Sequence, residues 1–265
     1  AGVQVGWITP GHAERLRAWP RVFRHDRDGI TLSDAPRDAR ERTQTLADVI
    51  HELAEQTVIT GWRNEQYAVC SEFGAPPLFY LERAAARFFG IATYAAHLNG
   101  VVRIDSGIRM WLARRSPSKP IDPGMLDNLV GGGIAAGLSV RETLVKEAWE
   151  EAGIAPEVAG RATPGRTLEI LRQVPEGVQQ EKIFVFDLVL APDFTPVNQD
   201  GEVSGHRLSD LQDVVGLLER GDEITVDASL VMLDFLFRSG TLPEPEFPEA
   251  ARIIRPEFAE QEINR

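Results

Sequence analysis

The chain contains one cysteine, Cys70, in 265 residues. No intrachain disulfide can form, which excludes the disulfide-stapled scaffolds of small secreted domains. Long apolar runs are also missing: none approaches the roughly 20 residues that a membrane-spanning helix needs. The segment Ala1–Trp19 carries ionic residues early and lacks the apolar core of a signal peptide, so a cytoplasmic location is expected. Basic residues are scarce, 28 against 40 acidic ones, which leaves a formal net charge of −12. That balance argues against nucleic acid or an anionic membrane as the main partner. A small anionic substrate is compatible with it only if metal ions and a few placed cations offset the repulsion. Internal repeats and low-complexity segments are absent.

What is present is ample apolar residue for a core, 43% of the chain. The N-terminal part alternates short elements. Val3 to Ile8 reads as a strand, and Pro10 opens a helix through Trp19. Ser33 to Arg40 reads as a polar loop. Thr43 to Gln56 has Leu46, Val49, Ile50 and Leu53 at helical spacing. Gln66 to Cys70 reads as a strand, Pro76-Pro77 as an interruption, and Glu82 to Phe89 as a helix stopped by Gly90. Strands then dominate: 93–104 and 108–115 form a hairpin turned at Asp105-Ser106-Gly107. Strands at Arg166 to Val174 and Lys182 to Leu190 follow, then helices at Asp210 to Arg220 and Ala228 to Arg238. The Pro- and Glu-rich tail from Thr241 is expected on the surface. A boundary near residue 92 divides the chain into domains 1–91 and 92–265.

The segment from Gly132 to Ile154 carries the chemistry. Ser139 and Glu142 form a capping box for a helix that ends at Gly153. Glu147, Glu150 and Glu151 stand at i, i+3 and i+4, so their carboxylates share one face of that helix. Such crowding repels unless a cation lies among them, and a hard ion that prefers oxygen and engages phosphates suits it. The spacing closely resembles the Nudix box, Gly-x5-Glu-x7-Arg-Glu-U-x-Glu-Glu-x-Gly-U, with U a bulky apolar residue. Two positions depart from it. Leu138 stands where the first glutamate belongs, and Lys146 replaces the arginine, keeping charge but losing the guanidinium fork. Trp149, two positions from Glu147, faces away from the triad and is expected in the core.

The resemblance implies an α+β protein: a Nudix fold, a mixed sheet sandwiched between helices, preceded by a smaller α/β N-terminal domain. It implies a hydrolase in which water attacks phosphorus of a small organic diphosphate. Glu147, Glu150 and Glu151 would hold Mg²⁺, with Mn²⁺ the other candidate, and a carbonyl of Gly131 or Gly132 would add a ligand. The general base would be Glu147 or a glutamate from a later loop. Glu202, in Gln-Asp-Gly-Glu, fits that role, with a solvated acidic loop as the alternative. A homodimer would be in keeping with the family.

Stretches outside the box narrow the resemblance. Gly61-Trp62-Arg63-Asn64-Glu65-Gln66-Tyr67, Leu81-Glu82-Arg83-Ala84-Ala85, His97-Leu98-Asn99-Gly100 and Pro123-Gly124-Met125-Leu126-Asp127-Asn128 look like the Nudix branch found beside thiamine pyrophosphokinase in some fungal proteins. In that branch a Gly-Leu pair in place of Gly-Glu is tolerated. The branch is associated with hydrolysis of thiamine diphosphate and its oxidised analogues to the monophosphate. Arg115 and Lys119, just ahead of the box, would meet the phosphates. Trp62 and Arg63 are expected to line a substrate pocket between the domains, while His97 and Asn99 are expected to be structural. Two other readings compete. Isopentenyl diphosphate isomerases share the fold, but their catalytic cysteine and metal-binding histidines have no counterpart near this box. Leu138 and Lys146 motivate the second, a non-catalytic ligand-binding Nudix protein.

Overall fold

The computed structural model describes residues 2–27, 29–33, 38–105 and 107–254. It divides into two compact units: residues 1–94, 134–138 and 170–181 in one, and 95–133, 139–169 and 182–265 in the other.

The first unit starts with α1 (Pro10–Arg15), whose N-terminus is capped by Thr9, and a 3-10 turn at Leu16–Ala18. Two three-residue strands, β1 (Phe23–His25) and β2 (Ile30–Leu32), pair antiparallel; they are too short to leave a readable alternation. Helix α2 (Ala39–Glu55) begins four residues ahead of the expected start, because Asp38 Oδ1 accepts the Glu41 N–H at 2.8 Å and caps it there. Its predicted stripe of Leu46, Val49, Ile50 and Leu53 is buried. Strands β3 (Gln66–Val69) and β4 (Phe79–Glu82) form an antiparallel pair across Pro76-Pro77.

Two expectations fail in this unit. The predicted helix from Glu82 begins instead with a 3-10 turn at Arg83, because Glu82 belongs to β4 and its carboxylate accepts the Ala84 N–H. It continues as α3 (Ala86–Phe89) and stops at Gly90, whose φ of 56° lies in the left-handed region. The strand predicted at Val3 to Ile8 does not form. Gly6 makes one isolated bridge with Ile91, and a single bridge is not a ladder.

The second unit is built on a sheet ordered Val203–Asp210, Gly107–Arg115, Ala92–Ile104, Gly177–Leu190 and Thr163–Val174. Strands β5 (Ala92–Ile104) and β6 (Gly107–Arg115) form the predicted hairpin, paired from Gly100↔Trp111 to Ile104↔Gly107. Ser106, in its expected turn, lies outside the described residues. Past Gly100 the strands separate, and the next segment fills the gap. There β7 (Leu126–Asn128) pairs with β6 and β8 (Val130–Gly133) pairs with β5. Helix α4 (Val140–Ala152) and the short α5 (Pro156–Ala159) lead to β9 (Thr163–Val174) and β10 (Gly177–Leu190), both longer than predicted. Strand β11 (Val203–Asp210) pairs with the outer edge of β6, with a register shift between Val203 and Gly205. Helices α6 (Leu211–Arg220), α7 (Val226–Arg238) and α8 (Pro248–Ile254) follow. The tail expected on the surface thus contains a helix, in which Ala251 is buried.

Alternation along β5 distributes its side chains to two layers. Ala96, Leu98 and Val102 pack with Leu144, Ala148 and Ala152 of α4. Val101 packs with Leu217 of α6 and Met232 and Leu236 of α7. A mixed sheet between helices results, the α+β architecture expected. Among the described residues no helix is long and apolar enough to cross a membrane.

Candidate functional site

The capping box of α4 forms as its sequence dictates: the Ser139 hydroxyl accepts from Glu142 N–H, and the Glu142 side chain accepts from Ser139 N–H at 2.9 Å. Gly153 ends the helix with φ 64°. The helix buries Leu144, Ala148 and Ala152, and at 3.6 residues per turn Glu147 and Glu151 flank that face. Trp149 points the other way, into solvent rather than into core as expected, and is 50% exposed. The core stripe ends at Ala152 and Ala148, and Trp149 falls outside it.

Strand β8 brings its glycines beneath α4. Gly131 N–H donates to Glu151 Oε2 at 2.8 Å. A Cβ at Gly132 would stand 2.4 Å from Glu147 Cδ, so only a glycine leaves room for that carboxylate against the backbone. The wedge of β7 and β8 between β5 and β6 is what carries these glycines to the triad. It is held by a buried polar chain: His97 Nδ1 bonds Asn128 Oδ1 at 2.9 Å, and Asn128 Nδ2 donates to Asn99 Oδ1 at 3.1 Å. Asn99 Nδ2 in turn donates to Asp187 at 3.0 Å. The His97 ring also packs against Gly131, where a Cβ would lie 2.9 Å from it.

Electrostatics reflect the crowding. Glu151 is 5% exposed, and burial pushes its carboxyl up to about 8, with Glu147 and Asp127 adding to the rise. Lys119 and the Gly131 N–H oppose it. Glu150 and Glu147 are tied to Lys146, whose Nζ lies 2.6 Å from Glu150 Oε2 and 3.0 Å from Glu147 Oε1. Burial alone would lower the Lys146 ammonium, but those two carboxylates outweigh it and hold its proton more tightly than usual. Lys146 therefore lies between two of the three glutamates.

The other predicted site residues fall in two places. Lys119, with a side chain 9% exposed, forms an ion pair with Glu202, 83 residues further on. Ser116 N–H donates to the Glu202 carbonyl at 2.8 Å, so the loop after β6 and the loop before β11 are joined by backbone as well. Arg115 is engaged with its own chain, donating to Asp127 Oδ2 at 2.7 Å and to the carbonyl of Ile121 at 2.8 Å. Asp127, not singled out from sequence, thus belongs to the charge cluster around Glu151; no spacing signal marks it. Trp62 and Arg63 lie in the other unit. Trp62 lines a cavity whose walls all come from residues 43–82.

Three carboxylates on one helix, two of them set against the Gly131-Gly132 backbone, are an oxygen donor set suited to a hard divalent cation rather than a soft one. Among the described residues, no three His, Cys, Asp or Glu side chains are drawn into one ready cluster. Instead the carboxylates are held by Lys146 and by the Gly131 N–H.

A mixed sheet flanked by helices, with a glycine strand set beneath a glutamate helix, defines a Nudix-type architecture. The comparisons agree: the model of the NUDIX domain matches residues 99–228, and that of a domain of unknown function, DUF4743, matches residues 1–93. Over 246 residues the chain is 40% identical to Nudix hydrolase 24, chloroplastic, of Arabidopsis thaliana, covering 92% of this chain and 67% of that protein. It is 39% identical to Nudix hydrolase 20, chloroplastic, of the same plant, over 89% of this chain and 66% of that protein. The chain belongs to the Nudix hydrolase family, and it spans about two thirds of the length of these relatives. A solved structure from Deinococcus radiodurans is similar at 21% identity and a TM-score of 0.47, covering 63% of this chain and 97% of that one.

Proposed function

We propose that the protein is a metal-dependent hydrolase that cleaves the diphosphate of a small organic diphosphate, most specifically thiamine diphosphate or its oxidised analogues, to monophosphate and phosphate. The observation that carries this reading is the pairing of Glu147 and Glu151 with the Gly131-Gly132 strand. It places two carboxylates against glycine backbone, where a side chain at Gly132 would displace the Glu147 carboxylate from its present position. Glu147, Glu150 and Glu151, with a Gly131 or Gly132 carbonyl, would hold Mg²⁺ or Mn²⁺. When bound, the metal neutralises phosphate charge and activates water. Glu202 or Glu147 accepts the proton of the attacking water. Lys119, already paired with Glu202, is the cation assigned to the substrate phosphates, and Arg115 fixes Asp127 and the loop beside it. The resemblance of 61–67 and 123–128 to the thiamine-linked branch supports the choice of substrate. The domain division at 1–91 and 92–265 and a cytoplasmic location remain part of this proposal, although the two plant relatives are named chloroplastic.

Phosphate release from thiamine diphosphate and oxothiamine diphosphate, with Mg²⁺ and with chelator, tests this. Metal-dependent release is expected on at least one; no turnover on any organic diphosphate, together with tight ligand binding, would favour the non-catalytic reading that Leu138 and Lys146 motivate.

Gly132→Ala separates the site from the fold. The clashing atoms are Glu147 Cγ, Cδ and Oε1, side chain rather than backbone, so the loss of stability should stay within about 1–2 kcal/mol. The displaced carboxylate should weaken Mn²⁺ binding, followed by electron paramagnetic resonance, at least about tenfold. Unchanged Mn²⁺ affinity would remove Glu147 from the metal set.

A further inference from the structure

We propose that the N-terminal unit contains a second ligand site of its own, for a planar heteroaromatic ring that carries an amino group or a positive charge. The site is a cavity of about 360 Å³ between α2 and the β3–β4 pair. That volume falls within the range of small-molecule pockets. Ala47, Ile50 and Leu81 give it an apolar floor, and Thr43, Asn64, Gln66 and Glu82 give it polar groups.

Its distinguishing feature is an indole held rigid at the surface. Trp62 is 36% exposed, yet its ring stacks on His51 with centroids 4.8 Å apart, and its Nε1–H donates to Asn64 Oδ1 at 2.9 Å. The backbone on both sides is bent into the left-handed region, at Gly61 with φ 75° and at Asn64 with φ 56°. Asparagine is among the few non-glycine residues that adopt this conformation, and here its side chain accepts the indole N–H. A fixed aromatic face at the mouth of a cavity is a preorganised stacking surface.

Glu82 sets the chemistry of the ligand. It is 8% exposed, and Oε1 accepts the Arg63 N–H at 2.9 Å and the Ala84 N–H at 3.4 Å. Both bonds use Oε1, so the second carboxylate oxygen remains as an acceptor at the cavity wall. A buried carboxylate beside an indole selects a flat ring that donates hydrogen bonds or bears positive charge. Gln66, a wall residue, accepts the Ala136 N–H at 2.9 Å through its carbonyl, so the cavity wall also holds the loop 134–138 of the same unit.

The inference does not depend on hydrolysis, and its test measures binding alone. 2-Aminobenzimidazole, planar and amidine-like, would be titrated into the full chain by calorimetry, with 2-methylbenzimidazole as the analogue lacking the amino donor. Binding of the first, at least tenfold weaker for the second, is expected. Trp62→Ala should remove the stacking face, and Glu82→Gln, which keeps the acceptor for Arg63 and Ala84, should remove the charge. Each variant should weaken binding at least tenfold while the melting temperature stays near that of the wild type. No binding of 2-aminobenzimidazole to the wild type at millimolar concentration, or binding that neither variant changes, would overturn the proposal.

Discussion

Glu151→Gln is expected to lower hydrolysis by roughly 10³-fold, about 4 kcal/mol of transition-state stabilisation, while the protein stays folded. The substitution is close to isosteric, and the amide oxygen can still accept the 2.8 Å bond from Gly131 N–H. What is lost is the ability to ionise when a cation binds, at a position where burial, Glu147 and Asp127 oppose ionisation in its absence. With its carboxyl pushed up to about 8, metal-free Glu151 is largely protonated at neutral pH, so the amide replaces a neutral acid and the variant should melt close to wild type. Loss of activity with retained stability marks a residue kept for chemistry rather than for the fold. Wild-type activity in this variant would remove Glu151 from the metal set. A large drop in melting temperature would show instead that its role is structural.

The second large effect concerns the fold of the N-terminal unit. Gly90→Ala should destabilise it by about 3 kcal/mol, from two sources. The φ of 56° costs a non-glycine residue about 1 kcal/mol. The rest is steric: the new Cβ would lie 1.7 Å from the Trp7 carbonyl oxygen and 3.1 Å from Val178 Cβ. The Trp7 carbonyl is backbone, and Trp7 N–H is bonded to Gly90 O at 2.8 Å, so it cannot swing aside. Gly74→Ala supplies the control, because its φ is 82° but nothing lies within 4 Å of its Cβ position. Calorimetric melting should show the Gly90 variant lowered by about 6–12 °C, as scaled for a chain of this size, and the Gly74 variant by about a third of that. Equal shifts for the two would show that the clash is relieved by a backbone movement.

Gly90 also shows how far the sequence carries. A glycine after Phe88-Phe89 is a local signal, and helix termination there could be read directly. That its missing side chain also makes room for Trp7 could not, because the two meet only after the chain has turned back on itself. The same division runs through the second unit. The β5–β6 hairpin, the capping box of α4 and the stop at Gly153 are encoded in a few adjacent residues, as were helices α6 and α7. The β7–β8 wedge was not legible. Its strands are three and four residues long and almost wholly buried, so they carry no alternation to count.

The sequence by itself determined the glutamate triad, its helix and its glycines, because helical spacing and capping are properties of neighbouring residues. Tertiary structure alone decided what surrounds those glutamates. It brought Lys119 to Glu202 and Arg115 to Asp127, pressed Glu147 against Gly132, and buried Glu151 where a carboxylate resists its charge. Burial and the fields of distant charges depend on how separate segments converge. No periodicity along a single stretch encodes that convergence.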